Sequence, residues 1–252
     1  VNEGERREVL VRRLVRGTAE DGVDLGADDE ARLTALTAES ADFLVDIDEV
    51  LIPLEALESI EQTRRAYDRA AQVSPEAAVL LASFGRRSDL ALATQELESE
   101  LARCLGPVPR VARALDFGSG MGRFTPFLRR RSDWVLSVDL SIELLRVAGS
   151  GARILASSLD WARSTAQFGI ILAADVLPAL AHLPDRRRER LISHLFDRLE
   201  PCGVLLIVNH DYEMSAERSA EVIAHVCGCA TVEWRAVQQT LWCGAVFSVR
   251  HS

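Results

Sequence analysis

Residues 112–139 read ARALDFGSGMGRFTPFLRRRSDWVLSVD. Val111 to Phe117 is an apolar run of strand character, and Gly118-Ser119-Gly120-Met121-Gly122 is a tight glycine turn. Arg123 to Arg131 reads as a helix with Phe124, Phe127 and Leu128 on one face. Trp134 to Val138 is a second apolar strand, and it ends in Asp139. Strand, glycine turn, helix and strand make a βαβ unit with an acid at the tip of its second strand. Such a unit places a nucleotide-like ligand over the helix N-terminus and lets the acid accept hydrogen bonds from ribose hydroxyls. Gly118 and Asp139 are 21 positions apart, the spacing this layout requires. Any Cβ in the turn would hold the ligand away from the backbone.

A dinucleotide fingerprint, G-x-G-x-x-G, would put its third glycine at position 123, where the chain has Arg123. The pattern present is Asp116-x-Gly118-x-Gly120-x-Gly122. It resembles motif I of the class I S-adenosylmethionine (SAM)-dependent methyltransferases, and the resemblance runs from Ala112 to Arg250. It implies SAM as the cofactor, with Asp116, Gly118, Ser119, Gly120 and Gly122 forming the cradle. Asp139, followed by Leu140, takes the place of the family's ribose-binding acid.

The rest of the chain is consistent with that layout. Ser141 to Ala148 reads as a helix with Ser141 at its cap and Glu143 at its positive end. Arg153 to Ser157 is a third strand, followed by Ser158-Leu159-Asp160-Trp161. In the family this turn flanks the adenine, often with an acid. Ser158 stands at the aligned place, so three arrangements are open: Ser158 accepts the hydrogen bond, Asp160 replaces it, or Leu159 and Trp161 sandwich the ring. Phe168 to Ala174 is a continuous apolar run that fits a buried parallel strand. It ends at Asp175-Val176, which the resemblance places beside the methionine part of SAM. Asp185 to Leu199 reads as a helix and Glu200-Pro201-Cys202-Gly203 as the turn closing it. The stretch LEPCGVLLIV resembles the family's leucine–x–proline–glycine–glycine signature, with Cys202 in place of the first glycine. Val204 to Val208 is a fifth strand, ending at Asn209-His210-Asp211-Tyr212. A helix, Ser215 to Cys227, and two strand-like runs, Ala230 to Val237 and Leu241 to Arg250, complete the chain.

The expected fold is α/β and Rossmann-like. Its seven-stranded sheet is mostly parallel with one antiparallel strand, with helices on both faces and an N-terminal helical extension. Residues 1–110 carry helical periodicity without strand-like alternation and are expected to form a lid and substrate region before a SAM-binding core at 111–252. Plain packing or homodimerisation is the other reading of that region. Ligands bind at the carboxyl ends of such strands, where the polar tips named above collect.

Composition bounds the rest. The chain has 252 residues and a net charge of −9, an acidic balance that argues against a nucleic-acid partner. All 29 basic residues are Arg, which excludes Lys-dependent chemistry such as a Schiff base or a P-loop. The runs Arg129-Arg130-Arg131 and Arg186-Arg187-Arg188 read as solvated helix ends. No apolar run is long enough to span a membrane. The charged stretch VNEGERREVLVRRLVRG has no signal core, so a cytoplasmic protein is expected. Five scattered cysteines read as reduced thiols, and His225, Cys227 and Cys229 lack zinc-site spacing, so no metal is expected.

A sulfonium methyl is already electrophilic, so the protein has chiefly to align an acceptor and exclude water. A neutral hydroxyl or ammonium acceptor also needs a base. His210 is the candidate, with an ordinary pKa near ~6.5. Asp211 either orients it or serves as the base itself. The bland alternative is a loop histidine capped by Asp211, remote from substrate. His182 is a second candidate, His194 reads as structural, and Tyr67 and Tyr212 either wall the acceptor pocket or pack the core. No Asp/Asn-Pro-Pro-Tyr/Phe motif follows the fourth strand, so DNA adenine or related amide methylation is not expected. The reading is therefore a SAM-dependent methyltransferase with a small-molecule acceptor, in secondary metabolism. Two rivals stand beside it: a SAM-utilising enzyme that cyclises the aminobutyryl chain and releases methylthioadenosine, and a non-catalytic SAM-binding scaffold.

Overall fold

The computed structural model describes residues 59–73, 75, 78, 87–148, 152–155, 166–180, 183–211, 214–229, 232–238 and 243–251. The helices expected before residue 59 lie outside the described residues, as do Ser158, Leu159, Asp160, Trp161, His182 and Tyr212.

The apolar run at Val111–Phe117 is strand β1, flanked in parallel by β2 (Ser132–Asp139) and β4 (Phe168–Ala174). β3 (Ala152–Leu155) extends one side. β5 (Leu199–Val208), then β7 (Cys243–Arg250), then β6 (Glu233–Gln238) extend the other, giving the order β3-β2-β1-β4-β5-β7-β6. β7 is antiparallel to both of its neighbours, so the sheet is mixed. The chain winds outward from β1 in one direction and from β4 in the other. The tips of β1 and β4 therefore meet at the point where strand order reverses, the place where open α/β sheets bind their ligands.

Alternation along the central strands divides the core in two. Ala114, Ile170, Leu172, Val204, Leu206 and Val208 face helices α2 (Arg87–Leu105) and α3 (Thr125–Arg129), meeting Leu97, Leu101, Phe127 and Leu128. Leu115, Phe117, Ile171, Ala173, Leu205 and Ile207 face the opposite way, toward Leu191, Ile192 and Leu195 of α6 (Asp185–Phe196) and Ile223 of α7 (Ala216–Cys227). A strand buried on both faces can be apolar at every position, as β4 and Val204 to Val208 of β5 are. α2 precedes the first strand and still covers the sheet as the other helices do.

Several element boundaries differ from the sequence reading. The first crossover helix begins at Thr125, not Arg123, because residues 120–124 are still turning and Pro126 suits a first turn. Glu200 to Gly203 is not a free turn but the first part of β5, with a register shift against β4 between Phe168 and Ile170. The irregularity puts Cys202 at φ 64, the left-handed region that the family's glycine would occupy without strain. The helix from Asp185 stops at Phe196. The reading of Arg186-Arg187-Arg188 as solvated holds for the first two only, since Arg188 is buried.

Helix α1 (Ile60–Val73) crosses to the strand tips and packs on α4 (Ile142–Val147). Ser141 caps α4, its hydroxyl accepting from Leu144 N. The same hydroxyl donates to Asp68 Oδ1 of α1 at 2.7 Å. Arg64 holds the other Asp68 oxygen at 2.7 Å. Among the described residues, no helix is long and apolar enough to cross a membrane.

Candidate active site

The glycine turn is built as the sequence pattern requires. Gly118, Gly120 and Gly122 all have left-handed φ values, of 68, 54 and 81°. Gly118 and Ser119 both donate to Val138 O, which ties the turn to the end of β2. A Cβ on Gly118 would lie 2.1 Å from Val176 Cγ2. The glycine is thus needed twice over, for its backbone and for the close approach of the β4 tip across the strand-order reversal.

Asp139 closes the turn from the neighbouring strand. Its Oδ2 accepts from Gly120 N and its Oδ1 from Ser141 N, both at 2.8 Å. A carboxylate has about four lone-pair sites, so capacity remains for a hydroxyl donor. Burial raises its pKa, and backbone donors, Ser141 first and then Gly120, oppose the shift.

Beneath the turn lies Asp116, 3 % exposed. Burial pushes its pKa up to about 7, against a hydrogen bond from Thr125 that lowers it, with the Asp139 charge adding to the rise. Thr125 Oγ1 donates to Asp116 Oδ2 at 2.6 Å. The Ser119 hydroxyl is buried in the turn without a hydrogen-bond partner. An orphaned buried hydroxyl, a turn of three left-handed glycines and a carboxylate with spare acceptor capacity together suit a polar, nucleoside-bearing ligand.

Asp175 stands between the tip of β4 and the short helix α5 (Val176–Ala179), in a left-handed conformation, φ 55 and ψ 20. Its Oδ1 accepts from Asn209 Nδ2 at 2.7 Å. The adjacent Leu140 and Val176 are partly buried and pack on the core. α1 and α2 bring two further groups over this region. Burial raises the pKa of the Tyr67 phenol, and the charges of Asp139 and then Asp175 raise it further, so the phenol stays a neutral donor. Arg123 donates from Nε to Thr94 Oγ1 of α2 at 2.7 Å, and its guanidinium lies over the Phe124 ring. Burial lowers its pKa while the Asp175 charge opposes the shift.

His210, just past β5, is 5 % exposed, and its Nδ1 has no hydrogen-bond partner. Burial first, and then the Arg188 charge, lower its pKa, while Asp211 and Asp185 oppose the shift. The imidazole is therefore held neutral at pH 7. Asp211 forms an ion pair with Arg188, Oδ2 to Nη1 at 3.1 Å, and Asp185 holds Nη2 at 2.6 Å.

The fold brings Asp116, Gly118, Ser119, Gly120, Gly122, Asp139, Asp175 and Val176 to one end of the sheet, with His210 and Asp211 one strand further along. Ser158 and Leu159 lie outside the described residues. Sequence reasoning placed Asn209 among the polar strand tips without a role, and it missed the site contacts of Arg188, Asp68, Thr94 and Arg123. None sits in a motif. The one available signal was Arg188 itself, whose position three residues after Asp185 puts both on one helix face.

The family model described as a methyltransferase domain matches residues 86–231, more than half of the chain. No curated protein matches the sequence. The magnesium protoporphyrin IX methyltransferase of Synechocystis PCC 6803, solved with bound SAM, is similar in structure with a TM-score of 0.58 at 16 % identity. The match covers 78 % of this chain and 99 % of that one. The N-methyltransferase NodS of Bradyrhizobium japonicum WM9 is similar with a TM-score of 0.52 at 16 % identity, covering 66 % of this chain and 98 % of that one. The DhpI–SAH complex is similar with a TM-score of 0.54 at 19 % identity, covering 77 % and 98 %. At these identities the solved structures establish the fold.

Proposed function

This chain belongs to the methyltransferase-domain family, and on that premise we propose that it methylates a small-molecule acceptor. It is a SAM-dependent methyltransferase, and SAM is its cofactor. The finer reading is that Gly118 to Gly122 cradle the amino-acid end of SAM while the spare acceptor capacity of Asp139 takes the ribose hydroxyls. When bound, SAM supplies an electrophilic methyl group. The chain's own residues then hold the acceptor in line, exclude water and, for a protonated acceptor, remove a proton.

The observation that carries the small-molecule reading is the cover over the strand tips. Asp68 of α1 is bonded to Ser141, which also donates to Asp139. The neighbouring Tyr67 is near enough to Asp139 and Asp175 to feel both charges. A helix seated this close to the cleft leaves room for a small acceptor rather than a polymer, and the net charge of −9 disfavours a nucleic-acid strand. The magnesium protoporphyrin IX methyltransferase, which shares the fold, is named for an acceptor of this size. His210, neutral and buried, is the proton acceptor in this proposal.

Incubation with SAM and a panel of small amines, phenols and carboxylic acids tests the reading. S-adenosylhomocysteine (SAH) forming only with an added acceptor is the expected result. Methylthioadenosine forming from SAM without any acceptor would overturn it.

A further inference from the structure

Among the described residues, three other than glycine have positive φ: Asp175, Cys202 and Asn209. Cys202 sits in an exposed irregularity at the start of β5. Asp175 and Asn209 are different. They occupy the tips of neighbouring strands, β4 and β5, beside the strand-order reversal. Asp and Asn tolerate the left-handed conformation better than other L-residues do, yet glycine would adopt it more freely still. Strain retained at a cleft, with the side chains in use, points toward a role for those side chains.

The side chains are bonded to each other. Asn209 Nδ2 donates to Asp175 Oδ1 at 2.7 Å. At its other end Asn209 Oδ1 accepts from Ala245 N of β7 at 2.9 Å. The backbone closes the same corner, with Asn209 N donating to Ala245 O and Asp175 N to Val208 O. These partners leave the amide a single orientation. Flipped, it would set its NH₂ against the Ala245 N–H and its oxygen against a carboxylate. Asn209 is buried, at 6 % exposure, while Asp175 is partly exposed, so the bridge runs from the core to the strand tip.

We infer that Asn209 is a positioning residue that aims the Asp175 carboxylate at the sulfonium centre of the methyl donor. The inference rests on the SAM reading of this cleft. Asp139 holds the glycine turn on one side of it, and Asp175 stands on the other, beyond Gly118 and Val176. Tyr67 feels both charges and Arg123 feels that of Asp175, so Asp175 acts into the cleft as well as toward β5. SAM carries a fixed positive charge at sulfur that SAH lacks. A carboxylate aimed there favours the donor over the spent product and so promotes their exchange. The antiparallel β7 supplies the Ala245 anchor, which makes the far side of the sheet part of this arrangement.

Titration calorimetry on the full chain with SAM and with SAH as separate probes reads this directly, without any acceptor. Asn209→Gly keeps the left-handed backbone and removes the bridge. Its affinity for SAM is expected to fall about tenfold, the scale of a partly desolvated charge pair losing its aim, while that for SAH changes less than about threefold. Asp175→Asn is expected to lose SAM affinity at least as strongly, and the double variant to lose no more than Asp175→Asn alone, since one residue acts through the other. Parallel losses for SAM and SAH in Asn209→Gly, no loss for either, or additive losses in the double variant would overturn the inference. Asp175→Asn leaves the backbone bonds in place, so its failure to show a SAM-specific loss overturns the inference even where Asn209→Gly does not fold. Wild-type protein that binds neither nucleoside would overturn the functional reading and this inference with it. Wild type that binds both, with variants that do not discriminate between them, overturns the inference alone.

Discussion

Replacing Asp116 by Asn should stabilise this protein at alkaline pH and help it less as the pH falls. The carboxyl is raised from an ordinary 3.8 to about 7 by burial. Below the lower value it is neutral in the folded and unfolded chain alike and contributes no pH dependence. Between the two values the unfolded chain releases its proton and the folded chain keeps it, so stability falls as pH rises. Above the higher value the cost is complete. Holding a carboxyl protonated one pH unit above its unfolded pKa costs about 1.4 kcal/mol, so the cost is about 2 kcal/mol at pH 5.5 and reaches about 4 kcal/mol at pH 8. Asn is isosteric and uncharged, and its oxygen can still accept from Thr125 Oγ1. Placing an NH₂ group where a carboxyl oxygen stood offsets the gain by about 1 kcal/mol. The net expectation for Asp116→Asn is a gain of about 1 kcal/mol at pH 5.5 and about 3 kcal/mol at pH 8. Urea unfolding of wild type and variant at both pH values measures it. A variant less stable than wild type at pH 8, or a gain of equal size at the two pH values, would refute the assignment of a buried, reluctantly ionised acid beneath the glycine turn.

Asp139→Ala removes an acceptor from two backbone N–H groups, so stability should fall by about 2–4 kcal/mol. SAM affinity should fall further, by about 10- to 100-fold relative to a stability-matched control variant, and calorimetry showing unchanged SAM binding would remove Asp139 from the site. His210→Ala should slow turnover about 100-fold or more once an acceptor is known, and a full-rate variant would make the imidazole a bystander. Cys202 is exposed and left-handed, so Cys202→Gly should stabilise the fold by about 0.5–1 kcal/mol. A lower urea midpoint for that variant would show that the thiol is needed for packing.

Residues 112–139 carried most of the fold, because a βαβ unit is written in local terms. Strand β1 and strand β4 have the bounds that their apolar runs indicate. Burial on both faces, along nearly all of β4 and from Ala114 onward in β1, explains why no alternation appears there. The glycine turn and Asp139 were legible for the same reason: one needs residues without a Cβ, the other needs an acid at a set distance along the chain. What remained hidden depends on contacts between residues far apart in sequence. Glu200 to Gly203 looked like a turn because Pro and Gly usually mark one, but pairing with β4 drew the stretch into β5.

Local chemistry alone therefore determined the family-type cradle, the acid beside it and the strand tips where polar residues gather. Only the packed structure decided which of those polar residues act together. Arg188 sits in a run that reads as solvated, yet it is buried against Asp211 across 23 residues of sequence. Tyr67 and Asp68 come from a helix before the first strand and reach Asp139 and Ser141. Asn209 reaches Asp175 across 34 residues and Ala245 across 36. The physical reason is that a backbone turn is chosen by the conformational limits of its own residues, whereas a buried hydrogen bond or charge pair is chosen by whatever the folded chain sets opposite it.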